Sequence, residues 1–179
     1  MSVAALVVHY IEERDHRLMR RCNRWQAPRW VRLGSVYATR CGDGWLWYVL
    51  AIALLTLGGE ARFRTVGAAT LAAMIGVFLF LRLKKYAARR RPCALEAHCW
   101  AKLLPPDQFS FPSGHSMTAF AICVPVSLGY PGLTPGLSLV AVAIAASRIL
   151  LGMHFLSDVV MGSILGALLG YATYALVMV

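Results

Sequence analysis

An all-α bundle of membrane-spanning helices is the fold this sequence predicts, and three observations carry the prediction. Of the 179 residues, 59% are hydrophobic and the mean hydropathy is +0.61, where a soluble domain is usually about 45–50% apolar. Five strongly apolar stretches stand at 45–57, 66–83, 117–130, 137–151 and 155–179. The formal charge of +10 is unevenly spread: Lys and Arg crowd beside the apolar stretches, a membrane-protein pattern rather than a nucleic-acid-binding one. No nucleic-acid partner is therefore expected. The length suits one domain over 1–179, with an amphipathic segment at 1–30 and a transmembrane bundle at 45–179.

Residues 3–25 come first. The apolar run 3–8 is short and charges follow it rather than precede it, so it is not a secretory signal. Val7, Ile11, Leu18, Cys22 and Trp25 recur at helical spacing, opposite Glu12, Glu13, Arg17, Arg20, Arg21 and Arg24. This is an amphipathic helix that either lies in the membrane interface or packs on the protein itself, and Pro28 ends it.

A spanning helix needs about 20 residues, so 66–83 and 155–179 qualify outright. The stretches 45–57, 117–130 and 137–151 must borrow flanking residues or meet a locally thin bilayer. Trp45, Trp47, Tyr48 and Tyr130 suit the aromatic belt at the interface. Gly162, Gly166 and Gly170 are spaced by four and line one helix face. Small residues there admit a close neighbouring backbone, within the bundle in preference to across a dimer, and the oligomeric state stays open.

Five cysteines cannot all pair within one chain. Cys22, Cys41 and Cys123 read as small apolar residues. Cys93 and Cys99 share a loop that would oxidise only in an oxidising compartment, so free thiols are expected. Cys93, His98 and Cys99 lack the spacing of a zinc site, and no metal is expected.

Three clusters carry the chemistry: Lys84 with Arg91-Pro92, then Pro112-Ser113-Gly114-His115, then Ser147-Arg148 with His154 and Asp158. They read K-x6-R-P, P-S-G-H and S-R-x5-H-x3-D in that order. Because spans alternate in direction, the end of the second, the start of the third and the link from fourth to fifth fall on one membrane face. Lys84, Arg91 and Arg148 can neutralise a phosphate, the arginines with planar paired donors. Ser113 and the N–H groups around Gly114 add neutral donors at a helix start, where glycine lets the backbone come close. Asp158 follows His154 by four residues, so on a helix the two share a face.

These motifs resemble the signature of the type 2 phosphatidic acid phosphatase (PAP2) family, which also includes vanadate-dependent haloperoxidases. The resemblance covers Lys84 to Asp158 by motif and implies a bacterial inner-membrane phosphatase of lipids. It raises the expected count to about five to six transmembrane helices, with the amphipathic segment standing where a first span belongs. It implies that His154 is a nucleophile that becomes phosphorylated, that His115 protonates the leaving oxygen and that Asp158 orients His154, with no cofactor. The positive cradle of Lys84, Arg91, Ser113, Gly114 and Arg148 would then stabilise the transition state in place of a metal. The implied substrates are undecaprenyl diphosphate, phosphatidylglycerol phosphate, phosphatidic acid and other polyprenyl-linked phosphates. The motifs bind what all of these share and do not choose among them. Two alternatives stand beside hydrolysis: capture of the phosphohistidine by another hydroxyl, and a non-catalytic lipid-phosphate-binding protein that keeps the cradle. A haloperoxidase does not suit a short, membrane-embedded chain.

Lys85, Arg89 and Arg90 read as a plain basic flank, Arg82 as a snorkelling side chain, and His9, His16 and His98 as ordinary polar residues. Trp100, Leu103 and Leu104, over or beside the pocket, are candidates for touching the lipid chain. Leaving aside the three phosphate-binding cations, thirteen Lys and Arg fall on the active face against Arg62 and Arg64 opposite. That bias favours a cytoplasmic active face, whereas the family resemblance pulls towards the periplasmic side.

Overall fold

The computed structural model describes residues 2–96 and 107–178, and every regular element among them is helical. Eight α-helices follow in order: α1 Val3–Arg24, α2 Arg29–Cys41, α3 Trp45–Leu57, α4 Arg62–Ala87, α5 Pro92–Leu95, α6 Gly114–Gly129, α7 Thr134–Leu150 and α8 Leu156–Met178, with a 3-10 turn at Pro131–Leu133 before α7.

α4, α6 and α8 make the centre, and α6 packs on α8 most extensively. Their contact faces are small. α4 buries Thr65, Ala68, Ala69, Ala72 and Gly76 at three- to four-residue steps, so its backbone closes on its neighbours. The large apolar side chains point outward: Phe63, Met74, Phe78, Leu139 and Leu168 are all exposed. Small residues inside and large apolar ones outside is what a bundle solvated by lipid requires.

The expected stretches each become a helix, and α4 and α8 are long and apolar enough to cross a membrane. The fourth stretch does better than expected, because the 3-10 turn runs into α7 to give 20 continuous residues, Pro131–Leu150. Pro131 and Pro135 look like breakers in sequence, but each occupies a first helical turn, where the missing N–H costs no hydrogen bond. α3 and α6 remain shorter apolar helices.

α2 was not expected. Its buried residues are Ser35 and Thr39, while Trp30, Leu33 and Tyr37 are exposed, so no apolar stripe announces the face that packs on α7. The far ends of α3 and α6 are tied where the Tyr130 hydroxyl donates to the Gly58 carbonyl at 2.7 Å. The opposite ends of α3, α4, α6 and α7, with the turn after α2 and the segment before α8, meet around one cavity.

Candidate active site

That cavity, of about 350 Å³, is lined by Lys84, Arg91, Gly114, His115, Arg148 and His154. Six of the eight expected residues thus converge. The other two stand one layer back. Asp158, fully buried, lies behind His154 with Oδ2 3.7 Å from Nδ1. Ser113 caps α6, its Oγ accepting from Ser116 Oγ at 3.0 Å, and its N–H donates to the Asp158 carbonyl at 3.0 Å. Ser113 is fully buried and does not line the cavity. A side chain at Gly114 would bring its Cβ within 3.4 Å of the Phe80 ring.

Each histidine's tautomer follows from its partner. His154 Nδ1 stands 2.6 Å from the Ser110 carbonyl, which can only accept, so Nδ1 carries the hydrogen. Burial pushes the His154 pKa down to about 3. The ring is therefore neutral, and its lone pair is on Nε2, 3.2 Å from Arg91 Nη1. The closest partner of Nδ1 is the Ser110 carbonyl rather than Asp158, the residue expected to hold the ring. His115 Nε2 is 2.9 Å from Asp43 Oδ1. Gly42 makes room for that ring, because a Cβ there would lie 2.6 Å from His115 Cδ2.

The cations are held by chain segments far apart in sequence. Arg91 donates from Nη1 to the Met153 carbonyl at 2.8 Å and from Nε to the Asp107 carbonyl at 2.9 Å. Arg148, 3% exposed, donates from Nη1 to Thr39 Oγ1 of α2, and its buried Nε has no partner among the described residues. Lys84 Nζ and Arg91 Nη2 both reach the Asp107 carboxylate, at 2.5 and 2.7 Å. Partial burial opposes charge on Asp107, but the hydrogen bonds from Lys84 and Arg91 outweigh it and hold the acid below its usual range.

Asp43, Thr39 and Asp107 were missed because nothing in their local sequence marks them. Arg89 corrects the reading of a plain basic flank. Its Nη1 donates to Asp158 Oδ1 at 2.7 Å and its Nη2 to Asp15 Oδ2 at 2.8 Å. Trp100, Leu103 and Leu104, with His98 and Cys99, lie outside the described residues. The cysteines that are described, Cys22, Cys41, Cys93 and Cys123, are free thiols.

Beside the polar cavity runs a groove of about 610 Å³ between α3, α4 and α6, lined almost entirely by apolar side chains. The two share Gly44, Trp47, Val77 and Thr118 on their walls. A cationic cup thus opens into an apolar trough.

A helical membrane bundle with this cup and two histidines defines a class, and comparison with known proteins gives the class its name. The PAP2 superfamily profile matches residues 44–179, and the chain belongs to that family. It is 36% identical over 98 residues to phosphatidylglycerophosphatase B of Bacillus subtilis, covering 49% of this chain and 45% of that protein. The chain thus spans less than half the length of that relative. It is 34% identical over 130 residues to a decaprenylphosphoryl-5-phosphoribose phosphatase of Mycobacterium tuberculosis, covering 71% of this chain and 68% of that one. The fold matches the crystal structure of a transmembrane PAP2-type phosphatidylglycerolphosphate phosphatase from Bacillus subtilis with a TM-score of 0.75. That match has 23% identity and covers 97% of this chain and 89% of the other.

Proposed function

We propose that the protein is a metal-independent phosphatase of lipid phosphates that works through a phosphohistidine. One observation carries the reading: three cations and two histidines from distant segments share one cavity that opens into an apolar groove. The lipid chain lies in the groove, and its phosphate displaces the Asp107 carboxylate from Lys84 and Arg91. Arg148 Nε, buried and unpaired among the described residues, donates to a phosphate oxygen, because a buried donor without a partner is costly.

His154 Nε2 attacks phosphorus as the bond to the lipid oxygen breaks. The phosphate charge and the Asp43 carboxylate work against the burial and the Arg148 charge that disfavour a protonated His115, and the charged ring gives the leaving oxygen its proton. Water then attacks the phosphohistidine and loses a proton to His115, releasing inorganic phosphate and restoring His154. Lys84, Arg91 and Arg148 neutralise the equatorial oxygens throughout.

The excess of Lys and Arg at this end of the bundle supports a cytoplasmic active face in a bacterial inner membrane. The test is phosphate release by the detergent-purified protein with EDTA present, against phosphatidylglycerol phosphate, phosphatidic acid and undecaprenyl diphosphate. At least one lipid is hydrolysed and His154→Ala is inactive. Activity retained by that variant, or lost with EDTA, overturns the reading, and a phosphorylated acceptor in place of free phosphate would make the enzyme a transferase.

A further inference from the structure

The most deeply buried carboxylate outside the motif set belongs to the amphipathic helix. Asp15 of α1 is 3% exposed, on a helix whose Val3, Leu6, Val7, Val8, Tyr10 and Ile11 are all exposed. A charge is buried there only if it is paired. Its Oδ1 accepts the N–H of Ser157 at 3.1 Å, in the first turn of α8, and its Oδ2 accepts from the Ser157 hydroxyl and from Arg89 Nη2. Arg89 Nη1 reaches past it to Ser157 Oγ and Asp158 Oδ1, both at 2.7 Å. The same guanidinium lies over the Phe155 ring at 4.2 Å, and His16 of α1 meets that ring edge-on at 5.2 Å. Asp158 Oδ2 in turn accepts the Phe155 N–H at 2.8 Å. Residues 154–158, the stretch that carries the nucleophile and its carboxylate, are therefore pinned from outside by α1 and Arg89.

We propose that Asp15 and Arg89 are positioning residues for catalysis, a carboxylate–guanidinium–carboxylate clamp that makes α1 a working part of the active site. The proposal rests on the phosphohistidine reading of His154. Geometry and charge both argue for it. Arg89 fixes the rotamer of Asp158, which would otherwise face His154 with one oxygen unpartnered. Two carboxylates against one guanidinium leave a net negative charge behind His154. That charge stabilises the positive charge that grows on the imidazole as Nε2 bonds to phosphorus. Without Asp15, Arg89 cancels Asp158 and the stabilisation disappears, although nothing in the cup that holds phosphate has changed. The loss should therefore appear in kcat and not in KM.

The experiment measures kcat, KM and Tm of the purified full chain in detergent, on the panel lipid turned over fastest. The proteins are wild type, Asp15→Asn, Arg89→Met, Arg89→Lys, the double variant D15N/R89M and His154→Ala. Asp15→Asn lowers kcat on the order of tenfold to hundredfold, the scale of a small misplacement at a reacting centre, with KM and Tm near wild type. The double variant loses about as much as Arg89→Met alone, because Asp158 freed of Arg89 keeps its own negative charge and needs no second carboxylate to offset a guanidinium, and Arg89→Lys recovers part of the loss. A wild-type kcat in Asp15→Asn, or a loss that tracks Tm and is additive with Arg89→Met, overturns the clamp. Should Asp15→Asn not yield folded protein, Ser157→Ala removes only a hydroxyl from the same clamp. It then lowers kcat several-fold at constant KM, and an unchanged kcat overturns the idea. His154→Ala separates the two failures: its retained activity sinks the phosphohistidine reading, whereas its inactivity beside a fully active Asp15→Asn sinks the clamp alone.

Discussion

In the proposed mechanism, His154 depends on where its protons are. A carbonyl holds Nδ1–H and burial keeps the ring neutral down to about pH 3, so the attacking lone pair is present across the physiological range. The same burial has a consequence for stability. The unfolded ring takes its proton near pH ~6.5 and the folded one only near 3, so between these values the unfolded chain binds more protons. The contribution of this group is intact above the upper value and is lost as pH falls through the window. Thermal midpoints in detergent should decline from pH 7 to 4, and the decline should be shallower in His154→Asn, which has no proton to take up. At the other histidine, Asp43 accepts from His115 Nε2, and Asp43→Asn removes the charge that favours the imidazolium. Its kcat should fall by about tenfold or more, within the range general acids contribute, with little change in KM. An unchanged kcat would mean that His115 needs no carboxylate.

At the scale of elements, the site depends on how closely α6 and α8 approach, since one carries His115 and the other Asp158. The three glycines of α8 set that approach. A Cβ at Gly162 would lie 2.6 Å from the Ser113 carbonyl oxygen, one at Gly166 2.2 Å from that of Met117, and one at Gly170 2.8 Å from Pro125 Cδ. Backbone atoms cannot swing aside as side chains do, so Gly166→Ala must separate the helices. Overpacking of this kind costs about 1–3 kcal/mol. It should lower Tm by several degrees and reduce activity with it, whereas Leu168→Ala, on the exposed face, should leave Tm near wild type. Equal Tm values for the two variants would dissociate the glycine face from the α6–α8 contact.

Across the whole molecule, charge is divided unevenly between the two ends of the bundle. The helix ends that build the cup are flanked by most of the cations, and the ends joined by Tyr130 and Gly58 carry Arg62 and Arg64. The proposed cytoplasmic active face predicts that a variant keeping Cys93 as its one cysteine resists an impermeant maleimide in intact spheroplasts and reacts once they are lysed. Labelling before lysis would reverse the orientation. The apolar groove beside the cup belongs to this scale too, because under the proposed function it would give a lipid a path from the bilayer to the cations without leaving apolar surroundings.

Hydrophobic patterning determined the class of fold and each apolar helix, since a backbone in lipid must satisfy its own hydrogen bonds and leaves long apolar runs few alternatives. Motif spacing also identified Lys84, Arg91, His115, Arg148, His154 and Asp158 as partners, because alternating spans bring their ends to one side. Only the folded chain decided how the partners are supported. Thr39 and Asp43 come from α2 and its following turn, whose buried face is polar and so leaves no periodic trace. Asp15 lies 74 residues from Arg89 and 142 from Ser157. A hydrogen bond depends on distance in space, and no local pattern records which remote carboxylate will be turned inward to meet a guanidinium.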